Sequence, residues 1–267
     1  MQPSSTKQTG TQRGYLDVAG LRIWHEVTGA GEPVVLLHGG FAGAASFVAQ
    51  TPALVEAGFR VHVPERRGHG HTPDVAGPLS YQVMAEDMID YLDQQVGGPA
   101  HLVGWSDGAV VAVLVARRRP DLVARLVLIG QYLNSSGKPP GGDLVASLDS
   151  AEVIAFLRRG YDPVSPDGAD HFPVVHAKMM QMLRTEPELE LDSLGEITAP
   201  TLVLQGDRDE VTVEHSLAIV AALADARLAV LPGTHLLPVE RPHLVNALLV
   251  SFLHDTGTGV DWSAHMG

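Results

Sequence analysis

The chain of 267 residues contains no cysteine, which removes disulfide frameworks, thiolate nucleophiles and cysteine-rich zinc sites and is compatible with a reducing compartment. Basic residues are also scarce. Eighteen Lys and Arg stand against 31 Asp and Glu, a formal net charge of −13. That balance disfavours a nucleic-acid or anionic-membrane surface, so neither partner is expected. The only basic run, Arg117-Arg118-Arg119, stands just before Pro120 and reads as the end of a helix, where cations suit the dipole. No apolar run approaches the ~20 residues of a membrane-spanning helix. The first ten residues are mostly polar and lack the apolar stretch of a secretory signal. A cytoplasmic protein is expected, with loosely attached ends over the first dozen residues and from Thr256 to Gly267.

With 45% apolar residues, the chain is long enough for one sizeable core. Strand-like and helix-like segments alternate, which predicts a mostly parallel sheet of about eight strands with helices on both faces, an α/β fold. Tyr15–Val18 and Leu21–Val27, joined at Ala19-Gly20, read as an antiparallel hairpin at one edge. The other strands are expected at Val34–Leu37, Arg60–Pro64, His101–Val103, Leu126–Ile129, Thr201–Leu204 and Leu228–Leu231. Apolar residues at helical spacing place one helix over Tyr81–Leu92, with Ser80 as N-cap, and a closing helix over Pro242–Leu253. Residues 133–194 break the alternation, with helical patterns at Ala151–Arg158 and His176–Arg184.

The most informative segment is Gly104-Trp105-Ser106-Asp107-Gly108, which follows a strand-like run and opens a helix-like one. A G-x-S-x-G sequence in that setting is a sharp strand–turn–helix that exposes the Ser106 hydroxyl above the sheet edge. A serine hydroxyl is a poor nucleophile and a tetrahedral intermediate carries an oxyanion, so a base and aimed N–H donors are needed as well. Upstream, the apolar run ending at Leu37 leads into His38-Gly39-Gly40-Phe41. That loop can supply one donor, Gly40 first and Phe41 as the alternative, beside the N–H of Asp107. Downstream, one strand ends in Gly206-Asp207-Arg208-Asp209 and another in Gly233-Thr234-His235, just past strand carboxyl ends, where open α/β sheets build their sites. The order Ser, Asp, His is the one associated with this elbow geometry.

Together with Arg67-Gly68-His69-Gly70-His71-Thr72, these motifs resemble the α/β-hydrolase superfamily, and the resemblance spans about Tyr15 to Phe252. It implies a core of residues 1–132 and 195–267 interrupted by a small helical cap at 133–194. It also implies a triad of Ser106, Asp209 and His235, the acid being the aspartate three residues after Gly206. His69 and His71 would brace a loop near the site, and His38 would be a structural donor beneath the oxyanion loop. The Gly-Trp-Ser-Asp-Gly elbow is similar to that of family members acting on amino-acid esters, in which the aspartate binds the substrate's amino group. Asp107 thereby becomes a candidate substrate contact as well as a helix N-terminal charge.

Trp105 and Met179 complete the candidate substrate contacts, Met179 with Met180 and Met182 as an adaptable apolar wall or as simple packing. Thirteen histidines raise a metal question, but no H-x-x-x-H helix with a nearby carboxylate set is present. No metal and no cofactor are expected. Asp207 reads as a turn cap and Glu210 as solvated. The expected activity is hydrolysis of a small-molecule carboxylic ester or related acyl substrate. A carbon–carbon bond hydrolase, a lactonase or a non-catalytic ligand-binding receptor are the alternatives. The intact Ser, Asp and His set argues against the receptor. Self-association into a homodimer is left open.

Overall fold

A computed structural model describes residues 10–139 and 144–255. Residues 1–9, Pro140 to Asp143 and the tail from Thr256 lie outside them, as does most of what was expected to be loosely attached. Eight strands form one sheet: β1 (Gln12–Val18), β2 (Leu21–Gly29), β3 (Pro33–Leu37), β4 (Arg60–Pro64), β5 (Ala100–Trp105), β6 (Val123–Ile129), β7 (Thr201–Gly206) and β8 (Ala226–Leu231). Their order is β1-β2-β4-β3-β5-β6-β7-β8. β1 and β2 pair antiparallel, β2 meets β4 antiparallel, and every other pairing is parallel. The expected hairpin is present, with Ala19 and Gly20 at φ 51° and 84°, the left-handed pair a tight two-residue turn needs. β1 starts earlier than expected. Gln12 to Gly14 pair with His25 to Val27, and Arg13 reaches Glu26 at 3.0 Å, so this stretch is held rather than loose.

Nine α-helices fall among the described residues: α1 (Gln50–Glu56), α2 (Tyr81–Tyr91), α3 (Asp107–Arg118), α4 (Leu144–Ser147), α5 (Ala151–Tyr161), α6 (Phe172–Thr185), α7 (Val213–Ala222), α8 (Leu237–Glu240) and α9 (Pro242–Leu253). Ser80 caps α2 by accepting from the Val83 N–H at 3.2 Å. Arg118 and Arg119 close α3 in ion pairs with Glu86, Asp93 and Asp121.

The parallel strands are apolar throughout because both faces are covered. Val34 and Leu36 of β3 enter one core cluster with α1 and α9, while Val35 and Leu37 enter another with α2 and α3. That alternation is the period-two geometry of a strand. Helices α4 to α6 lie between β6 and β7 in sequence. The α6 methionines Met179, Met180 and Met182 are buried in the same cluster as α2 and α3.

Candidate active site

Ser106 stands between β5 and α3 at φ 54° and ψ −122°. A non-glycine residue there is strained and persists only where surrounding structure fixes it. The Ser106 N–H donates to the Ile129 carbonyl of β6 at 2.8 Å. The elbow glycines are sterically required: a Cβ on Gly104 would lie 2.4 Å from Ala109 Cα, and one on Gly108 2.0 Å from the Leu37 carbonyl oxygen.

The loop after β8 delivers His235. Its Nε2 is 2.9 Å from Ser106 Oγ, and its Nδ1 is 2.9 Å from Asp209 Oδ1. An ionised carboxylate only accepts, so Nδ1 carries the proton and Nε2 is left to accept from the serine hydroxyl. Three further contacts hold this loop. The Gly233 N–H donates to Asp207 Oδ1 at 2.9 Å, the Thr234 N–H and hydroxyl donate to Glu240 at 2.9 and 2.8 Å, and Trp105 Nε1 donates to the His235 carbonyl at 2.9 Å. Asp207 therefore does not cap its own turn; its carboxylate reaches across to the histidine loop because the β7 and β8 ends lie side by side. Burial pushes the His235 pKa down. The Asp209 hydrogen bond and charge, with Glu210 and Asp107 nearby, outweigh that and leave it above the ordinary 6.5.

The Asp209 side chain is 1% exposed, and its Oδ1 also accepts from the Val211 N–H at 3.2 Å. Its Oδ2 is buried with no hydrogen-bond partner among the described residues. Gly130, just past β6, makes this approach possible. Its φ is +56°, and a Cβ there would sit 2.8 Å from Asp209 Oδ2 and 3.3 Å from His235 Nδ1.

The loop after β3 closes with the Ala42 N–H on the Gly39 carbonyl at 3.4 Å, leaving Gly40 and Phe41 at its centre. Phe41 has φ +56°. His38 lies beneath, donating from Nδ1 to the Gly39 carbonyl at 2.8 Å and accepting at Nε2 from the Arg66 N–H at 3.1 Å. Those partners fix it as a neutral imidazole, and burial with the neighbouring Arg66 charge holds its pKa well below 6.5. The fully buried Arg66 guanidinium donates to the His38 and Gly39 carbonyls and braces the same loop. Opposite, the Asp107 N–H opens α3, where no intrahelical carbonyl can take it.

The Asp107 side chain folds back over this loop. Oδ1 accepts from the Tyr81 hydroxyl at 2.7 Å, while Oδ2 is buried without a partner among the described residues, 2.5 Å from where a Gly40 Cβ would stand. Met179 Cε reaches within 3.3 Å of that same point, so α6 roofs the loop. Burial raises the Asp107 pKa above 3.8, against the opposing pull of Arg66, Tyr81 and His235.

Trp105 is 7% exposed, packs edge-on against Phe47 at 6.5 Å and bonds to the histidine loop. His71 and Ala44 donate to the buried Glu65 carboxylate, which ties the loops after β3 and β4 together. Gly130, Tyr81, Arg66 and Glu65 escape a reading of the sequence. Only the position of Gly130 directly after a strand could have marked it. Among the described residues no cluster of three or more His, Asp or Glu is arranged to hold a metal ion, and no helix is long and apolar enough to cross a membrane.

The profile of the alpha/beta hydrolase family matches residues 34–248. The chain belongs to that family. Within this hydrolase family it is 32% identical over 261 residues to the Variovorax paradoxus protein named "Putative carbamate hydrolase RutD", covering 86% of this chain and 96% of that one. It is 25% identical to the human serine hydrolase BPHL, over 94% of this chain and 89% of that one. A thermophilic esterase from Thermogutta terrifontis superposes with a TM-score of 0.69 at 27% identity, covering 91% of this chain and 98% of the esterase.

Proposed function

We propose that this hydrolase cleaves a carboxylic ester or related acyl bond through an acyl-enzyme on Ser106. The observation that carries the proposal is the unbroken relay Ser106 Oγ–His235 Nε2 and His235 Nδ1–Asp209 Oδ1, 2.9 Å at each step. Ser106 Oγ attacks the carbonyl carbon as its proton passes to His235 Nε2. The oxyanion is met by the N–H groups of Asp107 and Gly40, with Phe41 as the alternative to Gly40. Collapse expels the alcohol, which takes the proton from His235. Water then gives a proton to His235 and attacks the acyl carbon, and Ser106 leaves with its proton restored. A carbon–carbon bond hydrolase or a lactonase would employ the same three residues. The test is labelling with a fluorophosphonate, followed by a panel of nitrophenyl esters, lactones and amino-acid esters. Wild type should label and Ser106→Ala should not. A folded Ser106→Ala protein that retains near wild-type ester hydrolysis would sink the mechanism.

A narrower reading within this function is that Asp107 pairs with an ammonium group on the substrate. Its buried, unpartnered Oδ2 beside Gly40 supports this, because a charge-assisted hydrogen bond there would complete an acceptor now left unmade. The competing role is that of a helix N-terminal carboxylate, worth ~0.3–1 kcal/mol. The ratio of activities on an α-amino ester and its des-amino analogue separates the two. Asp107→Asn should collapse that ratio; an unchanged ratio removes amine recognition.

A further inference from the structure

Arg66 is wholly enclosed, yet it makes no ion pair among the described residues. Its neighbour Arg67 pairs with Asp87 at 2.6 Å. The Arg66 guanidinium meets only carbonyls, donating from Nη1 to His38 and from Nη2 to Gly39 at 3.2 Å, and its Nε has no partner among the described residues. Burial pulls its pKa down to about 10, against the raising pull of Asp107 and Tyr81, so the group stays charged at neutral pH. A buried cation without a contacting carboxylate is costly, and a neutral side-chain amide could hold a carbonyl as well. Bracing alone does not account for the charge.

One peptide unit does account for it. The Gly39–Gly40 bond is trans, so the Gly39 carbonyl and the Gly40 N–H point in opposite directions. The carbonyl is gripped by three donors, His38 Nδ1 at 2.8 Å, Arg66 Nη2 at 3.2 Å and the Ala42 N–H at 3.4 Å. The Gly40 N–H is thereby aimed away from them, and it donates to no group among the described residues. A Cβ on Gly39 would stand 3.4 Å from Ser106 Cβ, so this peptide borders Ser106. A charged donor on the carbonyl polarises the whole peptide and strengthens the N–H at its other end. Asp107 Oδ2 lies 2.5 Å from where a Gly40 Cβ would stand, and an ionised Asp107 would repel a second negative charge developing there. Among the groups that oppose the effect of burial on Asp107, Arg66 is foremost, ahead of Tyr81 and His235.

We infer that Arg66 is a positioning residue of the oxyanion hole, aiming and polarising the Gly40 N–H through the Gly39 carbonyl and balancing the Asp107 carboxylate beside it. The inference rests on the acyl-enzyme reading. Fluorophosphonate labelling of wild type but not of Ser106→Ala tests that reading first, and its failure sinks both. The probe for Arg66 is trifluoromethyl hexyl ketone. Ser106 Oγ adds to its carbonyl carbon, the hydroxyl proton passes to His235 Nε2, and the carbonyl electron pair becomes an oxyanion. Methyl hexyl ketone gives the matching affinity without that charge. Arg66→Met should lower the ratio of the two affinities by about 10- to 100-fold, short of the ~100- to 1,000-fold loss from deleting an oxyanion donor outright. Arg66→Lys, which keeps the charge and a donor, should restore part of the ratio. A merely structural Arg66 would weaken both ketones alike, and an unchanged ratio, or Arg66→Lys no better than Arg66→Met, overturns the inference. Should Arg66→Met fail to fold, the wild-type adduct decides by amide NMR. The Gly40 proton should move downfield on adduct formation; a shift at Phe41 with none at Gly40, or wild type binding both ketones equally, overturns the assignment.

Discussion

Replacing Gly130 with Ala perturbs the relay without substituting any of its three members. The added methyl would stand 2.8 Å from Asp209 Oδ2 and 3.3 Å from His235 Nδ1. Comfortable carbon contacts begin near 3.5 Å, so the carboxylate must give up roughly 0.7 Å. It cannot retreat freely, because its Oδ1 is held by the Val211 N–H and its side chain is almost wholly enclosed. A misplacement of about 1 Å costs roughly 100-fold in rate, so kcat should fall by about 10- to 100-fold, or ~1.4–2.7 kcal/mol of transition-state stabilisation. KM should change little, since the methyl faces the acid rather than the acyl group. Separately, an L-residue at φ +56° costs about 1–2 kcal/mol of stability. Steady-state hydrolysis of p-nitrophenyl butyrate, paired with urea unfolding, reads both effects. A folded Gly130→Ala protein with kcat within about twofold of wild type would refute the claim that this glycine sets the Asp209–His235 geometry, and with it the rate arithmetic.

The remaining predictions concern protons and the packing of α6. His235 must be neutral to accept from Ser106, and its folded pKa is raised. The acid limb of kcat/KM should therefore lie above pH 6.5, and Asp209→Asn should move it down while lowering kcat by orders of magnitude. A limb below 6.5 in wild type would contradict the Asp209 coupling. Because that pKa is raised on folding, the Asp209–His235 pair stabilises the fold fully below about pH 6.5, and the contribution fades as pH rises through the folded value, readable as a urea midpoint against pH. Asp74, whose side chain is 5% exposed, receives Lys178 Nζ at 2.9 and 2.7 Å and His171 Nε2 at 2.9 Å, joining the loop after β4 to α6. Asp74→Asn should cost about 1.5–3 kcal/mol in unfolding free energy. Burial works against ionisation of Asp74, but Lys178 and His171 prevail and hold its pKa below 3.8. The stabilisation should persist above that pH and vanish only as pH falls through the folded value. Wild-type stability in the variant would show that the contact is incidental.

The strands and the elbow were legible because their signals are local. Val34–Leu37 is a run of apolar residues whose alternation feeds both faces, and Gly104 to Gly108 states its own turn. Asp209 and His235 were readable through motifs that end strands. The supports were not legible, because each depends on a contact distant in sequence with no fixed spacing. Tyr81 reads as the first residue of a helix, yet its hydroxyl meets Asp107 26 positions on. Arg66 reads as one of two basic residues after a strand, yet burial sends it beneath His38 and Gly39, while its neighbour Arg67 turns to Asp87 at 2.6 Å. The methionines of α6 gave helical periodicity but not their height above Gly40, which only the packing of α6 on the loop determines.

The indole of Trp105 matters for anyone who would reshape this protein's substrate range. Its position beside Ser106 invites substitution to enlarge the pocket, yet Nε1 donates to the carbonyl of His235, the proposed base. A library randomised at Trp105 would sample the placement of His235 and the fit of a new substrate together, and a loss of turnover there would not report on size selectivity. Diversity introduced on α6, at Met179 and its neighbours, changes the roof over the loop after β3 while leaving that tether in place.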